Sequence, residues 1–203
     1  MNLTGIGYDV HRFAENRALI LGGVEIPHTH GLEGHSDADV LVHAIADAVL
    51  GAIGERDIGH HFPNSDESIR GISSIEILKR AGALVAEKGG RVINIDATLI
   101  AEAPKIGPHV ARMRENLAVA LEISVARVGV KATTNERMGF LGRGEGIAAM
   151  AVASVQLPDG GGCHAPPAAP PFAHADTACR AGAAHSGGDS ADSVHASHAG
   201  QRP

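Results

Sequence analysis

Two kinds of hydrophobic spacing run along this chain. Alternating apolar and polar positions mark strands, and apolar positions three and four apart mark helices. Residues 6–10 read as a short strand, and 18–21 with 24–26 read as a hairpin about Gly22-Gly23. Between 37 and 53, Val40, Leu41, Ala44, Ile45, Ala48 and Val49 fall on one helical face, with Ser36 and Asp39 placed as a capping box. A second helix is predicted after Ser73, with Glu76 completing another box. Its apolar face carries Ile77, Leu78, Ala81, Leu84 and Val85, and Gly89-Gly90 ends it. Residues 91–100 read as a strand through Val92, Ile93, Ile95, Ala97 and Leu99. A third helix is predicted over 108–121 and a strand over 128–132. The Ala-rich stretch 146–157 fits either period, and its β-branched Val152 and Val155 favour a strand. No internal repeat is visible. Elements mixed in this order predict an α/β or α+β fold with helices on one sheet face.

The pattern stops after Leu157. From 158 to 203 the chain is mostly Ala, Gly, Pro, Ser, His and Asp, and its only large apolar side chains are Phe172 and Val194. Such a segment cannot bury enough apolar surface to offset its conformational entropy. It is expected to be a disordered tail, leaving 1–157 as the folded domain. Both cysteines, Cys163 and Cys179, fall in the tail. The body therefore has no possible disulfide, which suits a reducing compartment. Cys163-His164 with His174 and Cys179 match no compact zinc spacing, and Gly/Ala/Pro surroundings offer no rigid support for ligands.

Composition then narrows the function. A chain of 203 residues with 44% hydrophobic and 20% charged residues supports one core, or two small ones. No apolar run approaches the roughly 20 residues of a membrane helix. The opening MNLTGIGYDVHRF has neither a basic stretch nor a long apolar one, so no signal peptide is expected and the expected compartment is the cytoplasm. The formal charge of −6 argues against nucleic-acid binding. Four Phe, one Tyr and no Trp are too few for a base-stacking surface. Thirteen histidines is a high count and directs attention to metal chemistry.

Five clusters carry candidate chemistry. In Asp9-Val10-His11, strand geometry puts Asp9 and His11 on one face, a carboxylate beside an imidazole. Such a pair alone is more often a surface pair. His35-Ser36-Asp37 sits at a helix start, where free N–H groups suit phosphate, although Ser36 also serves as a plain cap. His43 lies on an apolar helix face, where a lone histidine is usually a satisfied core residue. Asp47, one turn on, is placed to orient its ring. Asp9, His11 and His43 together make a two-histidine, one-carboxylate set, the pattern of a catalytic zinc with an open fourth position. The spacing does not say that they meet. His28 with His30, and His60-His61 near Asp57, compete but fall in predicted loops. Lys105, in Ala101–Gly107, sits where the chain turns into a helix and can face phosphate. Lys131 to Glu136 supplies Thr133, Thr134 and Asn135 followed by a carboxylate, a set able to hold phosphate oxygens and a hard metal. The glycines at 139, 142, 144 and 146 then force a tight backbone path around Phe140 and Arg143.

The segments GYDVHRF, GLEGHSDADVLVHAIADAVLGA, RDIGHHFP, AEAPKIGPH and VKATTNERMGFLGRGEGIA together resemble the 2-C-methyl-D-erythritol 2,4-cyclodiphosphate synthase family, in order and spacing, over 1 to about 157. Tyr8 stands where that family usually has Phe, and the tail has no counterpart. Some members are fused to a nucleotidyltransferase, for which this chain has no room. The resemblance implies a four-stranded sheet with helices on one face, in a homotrimer around a central cavity with active sites between subunits. It implies a phosphorus–oxygen lyase that turns 4-diphosphocytidyl-2-C-methyl-D-erythritol 2-phosphate into the cyclic diphosphate plus CMP. It implies zinc on Asp9, His11 and His43, and Mg2+ or Mn2+ on the diphosphate near Glu136. His35 and Thr134 match transition-state stabilisers, and Ser36 a donor beside His35. Asp9, Val10 and His11 match substrate contacts as well. Asp57, Ile58 and Gly59, with Phe62, Pro63, Asn64, Ser65 and Asp66, match the methylerythritol pocket. Ala101, Glu102, Ala103, Pro104, Lys105, Ile106 and Gly107, with Thr133, Thr134, Asn135 and Glu136, match the cytidine-diphosphate pocket. Phe140 and Arg143 match further substrate contacts, and in some relatives this pair faces an axial cavity that accepts an isoprenoid diphosphate. Two rivals remain at this point. One is a metal-dependent nucleotide hydrolase giving a linear product, and the other is a trimer that holds isoprenoid diphosphates without turnover.

Overall fold

The computed structural model describes residues 1–63 and 71–159. Asn64, Ser65 and Asp66, and the expected tail from 160 onward with both cysteines, lie outside the described residues.

The predicted first strand is longer than its hydrophobic pattern suggests. β1 spans Asn2–Ala14. One face presents Ile6, Tyr8 and Val10 to solvent, and the other carries Gly5, Gly7, Asp9 and His11. The inner face carries no large apolar side chain until Phe13, apart from Leu3, which hides the strand from a period-two reading. β2 (Leu19–Leu21) and β3 (Val24–Ile26) form the expected hairpin, with Gly22 and Gly23 both at positive φ, as that tight turn requires. β4 (Gly31–Leu32) is a two-residue strand beside the end of β1. The helix α1 (Val40–Ala52) follows.

The remaining long elements are α3 (Ser74–Glu87), β5 (Arg91–Ile100), α4 (Val110–Ala120), β6 (Val128–Thr133) and β7 (Gly146–Gln156). Two short helices, α2 (Ile58–His61) and α5 (Gly139–Gly142), fall where loops were expected. The Ala-rich stretch is thus a strand, buried through Ala149, Ala151, Ala153 and Val155 against the helices.

The sheet runs β4-β1-β7-β5-β6. Five strands replace the expected four because β4 adds two residues at the β1 edge, pairing Phe13 with Leu32. β1 and β5 flank β7 antiparallel, and β5 and β6 are parallel. β1, β5 and β6 therefore end at the same side of the sheet. The fold is mixed α+β, with α1 against β1 and β7.

Small residues set how closely α1 approaches. A Cβ built on Gly5 would lie 2.1 Å from the Ala48 carbonyl oxygen, and one on Gly7 would lie 2.0 Å from that of Ala44. Ala44, Ala48 and Ala52 recur every fourth residue, so helix backbone meets strand backbone along this seam.

Helix starts differ from the predicted capping boxes. Asp39 caps α1: its Oδ1 accepts the Val42 N–H at 3.1 Å. The same carboxylate accepts the Gly22 N–H at 2.9 Å and the Gly23 N–H at 2.7 Å, pinning the hairpin to the helix. Burial pushes its carboxyl up to about 6, against the pull of those N–H groups. Ser36 Oγ instead accepts the Ala38 N–H at 3.1 Å. Ser73 makes no side-chain cap on α3, and the Ser74 N–H goes to Asp37 Oδ2 at 3.0 Å, a donor–acceptor pair distant in sequence.

Candidate metal centre and active site

The seam carries the chemistry. α1 runs antiparallel to β1, so Gly5 lies at Ala48 to Ala52, Gly7 at Ala44 to Ala48, and Asp9 and His11 at the first turn of the helix. There His43 points into the gap. Asp9 Oδ2 lies 2.9 Å from His11 Nε2 and 3.0 Å from His43 Nδ1, and the two ring nitrogens are 3.2 Å apart. One ligand atom from each residue lies within 4.8 Å of the others. Carboxylate and imidazole at this spacing suit zinc, with one position left open. It is the only such cluster among the described residues. His28 and His30 instead gather around Phe13, and His60 and His61 lie against each other.

The electrostatics fit a cation. Burial raises the Asp9 carboxyl, but hydrogen bonds from His11 and His43, with their charge, outweigh it and hold it well below the usual carboxylate range. Burial pulls the His11 ring down, yet the Asp9 hydrogen bond and charge win and hold it above the ordinary 6.5. Below that raised value a metal must displace a proton from His11. Affinity is expected to fall about tenfold per pH unit as pH drops below the raised His11 value, and to level off above it. Zinc titrations across the neutral range check this, and a pH-independent affinity would contradict it.

These three residues line one wall of a cavity of about 480 Å3. Its lining brings together the candidate residues Asp9, His11, His35, Ser36, His43, Asp57, Ile58, Gly59 and Phe62. Larger hollows of about 690 and 660 Å3 lie on the helical side, but neither contains a ligating cluster. Val10 points to the opposite sheet face, and its backbone N–H donates to Asp9 Oδ1 at 2.8 Å. Pro63 is exposed and does not line the cavity.

The second predicted set assembles elsewhere. The parallel ends of β5 and β6 bring 101–107 beside 133–136, with the Ala101 N–H on the Thr133 carbonyl at 3.0 Å. Glu102 Oε1 accepts the Asn135 and Arg137 N–H groups at 2.9 and 3.1 Å. Thr134 Oγ1 donates to Glu136 Oε1 at 2.8 Å. Lys105 is exposed, as is Phe140 on α5, while Arg143 pairs with Glu145 at 2.6 Å. None of these residues lines the Asp9 cavity. Three strand spacings separate β1 from β6, roughly 14 Å.

The sequence pattern of the YgbB family matches residues 3–156.

The chain belongs to this family.

It is 59% identical over 158 residues to 2-C-methyl-D-erythritol 2,4-cyclodiphosphate synthase from Akkermansia muciniphila, covering 77% of this chain and 94% of that one. A bifunctional IspD/IspF enzyme from Sphingopyxis alaskensis is 59% identical over 155 residues, 76% of this chain but 40% of the relative. Among solved structures, the bifunctional IspDF of Campylobacter jejuni matches with TM-score 0.75 at 44% identity, covering 78% of this chain and 43% of that one. The CDP complex of Plasmodium falciparum IspF matches with TM-score 0.68 at 32% identity, covering 78% and 97%.

The structure also corrects one placement. Asp47, expected to orient His43, accepts the Ile58 N–H at 2.8 Å and so holds α2 instead. Burial raises its carboxyl against that bond. The partners of His43 Nε2 are Ser74 Oγ at 2.9 Å and Ser36 Oγ at 3.2 Å. Sequence reasoning missed Ser74 and named Asp37 only at the helix start, since no local spacing links either to His43. It also missed Arg17, which donates to the Gly34 and Ser36 carbonyls at 2.6 Å each and so fixes the backbone on both sides of His35.

Proposed function

We propose how the family's reaction runs on this chain. The chain is a lyase of isoprenoid precursor biosynthesis by the non-mevalonate route, forming 2-C-methyl-D-erythritol 2,4-cyclodiphosphate as its relatives' names state. The substrate is 4-diphosphocytidyl-2-C-methyl-D-erythritol 2-phosphate. An oxygen of the 2-phosphate attacks the β-phosphorus, the bond to the α-phosphate oxygen breaks, and CMP leaves. The observation that carries this reading is the Asp9–His11–His43 cluster on the wall of a cavity shared with His35 and Ser36.

Asp9, His11 and His43 would hold zinc, which would neutralise and orient phosphate oxygens; Mg2+ or Mn2+ near Glu136 would do the same for the diphosphate. His35 and Ser36 donate to phosphate oxygens from the loop that Arg17 fixes. Asp57, Ile58, Gly59 and Phe62 enclose the methylerythritol. Residues 101–107 and 133–136 take cytidine diphosphate through backbone groups, the Lys105 ammonium and the Thr134 hydroxyl. Phe140 and Arg143 add outer contacts. Bringing two phosphates together in line is chiefly a matter of positioning and charge neutralisation.

Two half-sites three strands apart in one chain support a homotrimer in which each active site lies between subunits. The bare face of the sheet supports it too. Ile6, Tyr8, Met150 and Val152 are 68%, 52%, 46% and 42% exposed and form two directly opposed cross-strand pairs. Burying such a patch is favourable by about 25 cal/mol per Å2. We place the isoprenoid diphosphate that some relatives accept in the cavity such a trimer would enclose. The cytoplasm suits a body without cysteine, and among the described residues no helix is long and apolar enough to cross a membrane.

Phosphorus NMR of the product tests the reading. A cyclic diphosphate signal is expected, whereas a linear phosphate ester would mean a hydrolase. The catalytic domain is 1–157, and 158–203 lies outside it. A chain ending at Leu157 is expected to keep full turnover and the parent's oligomeric state by light scattering. Loss of either would give the last segment a role in the site.

A further inference from the structure

We propose that Ser74, held by Asp37, is a positioning residue that orients His43 for metal binding. The inference rests on the reading that Asp9, His11 and His43 hold a metal.

The direction in which the ring proton points decides the role of Ser74. His43 Nδ1 faces Asp9 Oδ2 and His11 Nε2, at 3.0 and 3.2 Å, and is the ligand nitrogen. When a metal is bound the Nδ1 lone pair is given to it, so the ring proton then sits on Nε2. That proton needs an acceptor, because the ring is buried, with His43 7% exposed. Ser74 Oγ lies 2.9 Å from Nε2 and is itself 0% exposed. A hydroxyl could take either role, and Asp37 decides. Ser74 Oγ donates its only proton to Asp37 Oδ1, leaving its lone pairs for His43. The chain therefore has one direction, from Nε2–H to Ser74 to the Asp37 carboxylate.

Asp37 and Ser74 are also fixed to each other by backbone. The Ser74 N–H donates to Asp37 Oδ2 at 3.0 Å, and the Asp37 N–H to the Ile72 carbonyl at 3.2 Å. Ser36 Oγ is the weaker partner. It lies 3.2 Å from Nε2 and 3.3 Å from Ser74 Oγ, and it accepts the Ala38 N–H. A carboxylate pulling on Nε2–H through a hydroxyl makes Nδ1 more basic and stops the ring from turning. The competing view is that Asp37 and Ser74 only join the start of α3 to the loop before α1.

Metal binding separates the two views. Chelator-stripped full-length protein, Ser74→Ala and Asp37→Asn are titrated with zinc against a chromogenic chelator, and with cobalt followed by visible absorption. Circular dichroism checks the fold. Both variants are expected to keep the parent's fold and lose about 10- to 100-fold in zinc affinity. Their cobalt bands should shift as the His43 ring is released. Parent affinity and an unchanged cobalt spectrum in the folded variants would overturn the proposal while leaving the metal site standing. If Ser74→Ala does not fold, Asp37→Asn alone decides. A parent protein that takes up neither zinc nor cobalt would overturn the metal reading itself, and this proposal with it.

Discussion

Replacing His43 with alanine is expected to abolish both metal retention and turnover while the chain stays folded. On the proposed function His43 is one of three zinc ligands, and its removal leaves Asp9 and His11, too few to hold the ion against water. The loss should exceed the ~10–100-fold that removal of an outer partner costs. The buried ring faces the cavity and meets polar groups of Asp9, His11, Ser36 and Ser74. Folding should therefore suffer much less than the metal site. It also loses a partner for Ser74, which Asp37 still satisfies. Metal analysis of the purified variant, with product formation and a melting curve, checks all three. Full turnover in a metal-free His43→Ala protein would remove metal from the mechanism.

Gly7→Ala should unmake the site from the opposite side. The added Cβ would lie 2.0 Å from the Ala44 carbonyl oxygen and 2.8 Å from the Ala48 N. Both obstacles are backbone, so no side chain can rotate away. β1 and α1 must separate, and overpacking of this kind costs about 1–3 kcal/mol or more. At the upper end, a domain of this size loses about 6–12 °C in melting temperature. The same separation carries Asp9 and His11 away from His43, so zinc affinity should fall together with stability. An unchanged melting temperature and metal content would show that the seam yields at little cost. Gly5, 2.1 Å from the Ala48 carbonyl oxygen on the same test, should behave alike.

Elements with a strong period were legible in the chain. The cores of α1 and α3, the hairpin about Gly22-Gly23, and β5 follow from apolar spacing and turn glycines. β1 was legible only in part. Its inner face is built from Gly5, Gly7, Asp9 and His11, residues chosen for closeness and chemistry, and the alternation is lost. β4, α2 and α5 span two to four residues, too short for any period to show. The caps failed for another reason. Ser36 and Ser73 have cap-forming side chains at the right places, yet Asp39 caps α1, and Asp37, 37 positions away, takes the first N–H of α3.

The sequence by itself determined the ligand types, the motif order and the family, because these reside in residue identity and local spacing. It also set the small residues that let a helix lie on a strand. Only the tertiary structure decided that Asp9 and His11 meet a histidine 32 to 34 positions on. It alone placed Ser74, not Asp47, behind that ring, and set the loops at 101–107 and 133–136 apart from the ligand cavity. The reason is physical: periodicity reports which face of an element is buried, while the neighbour it meets is fixed by packing between elements distant in sequence.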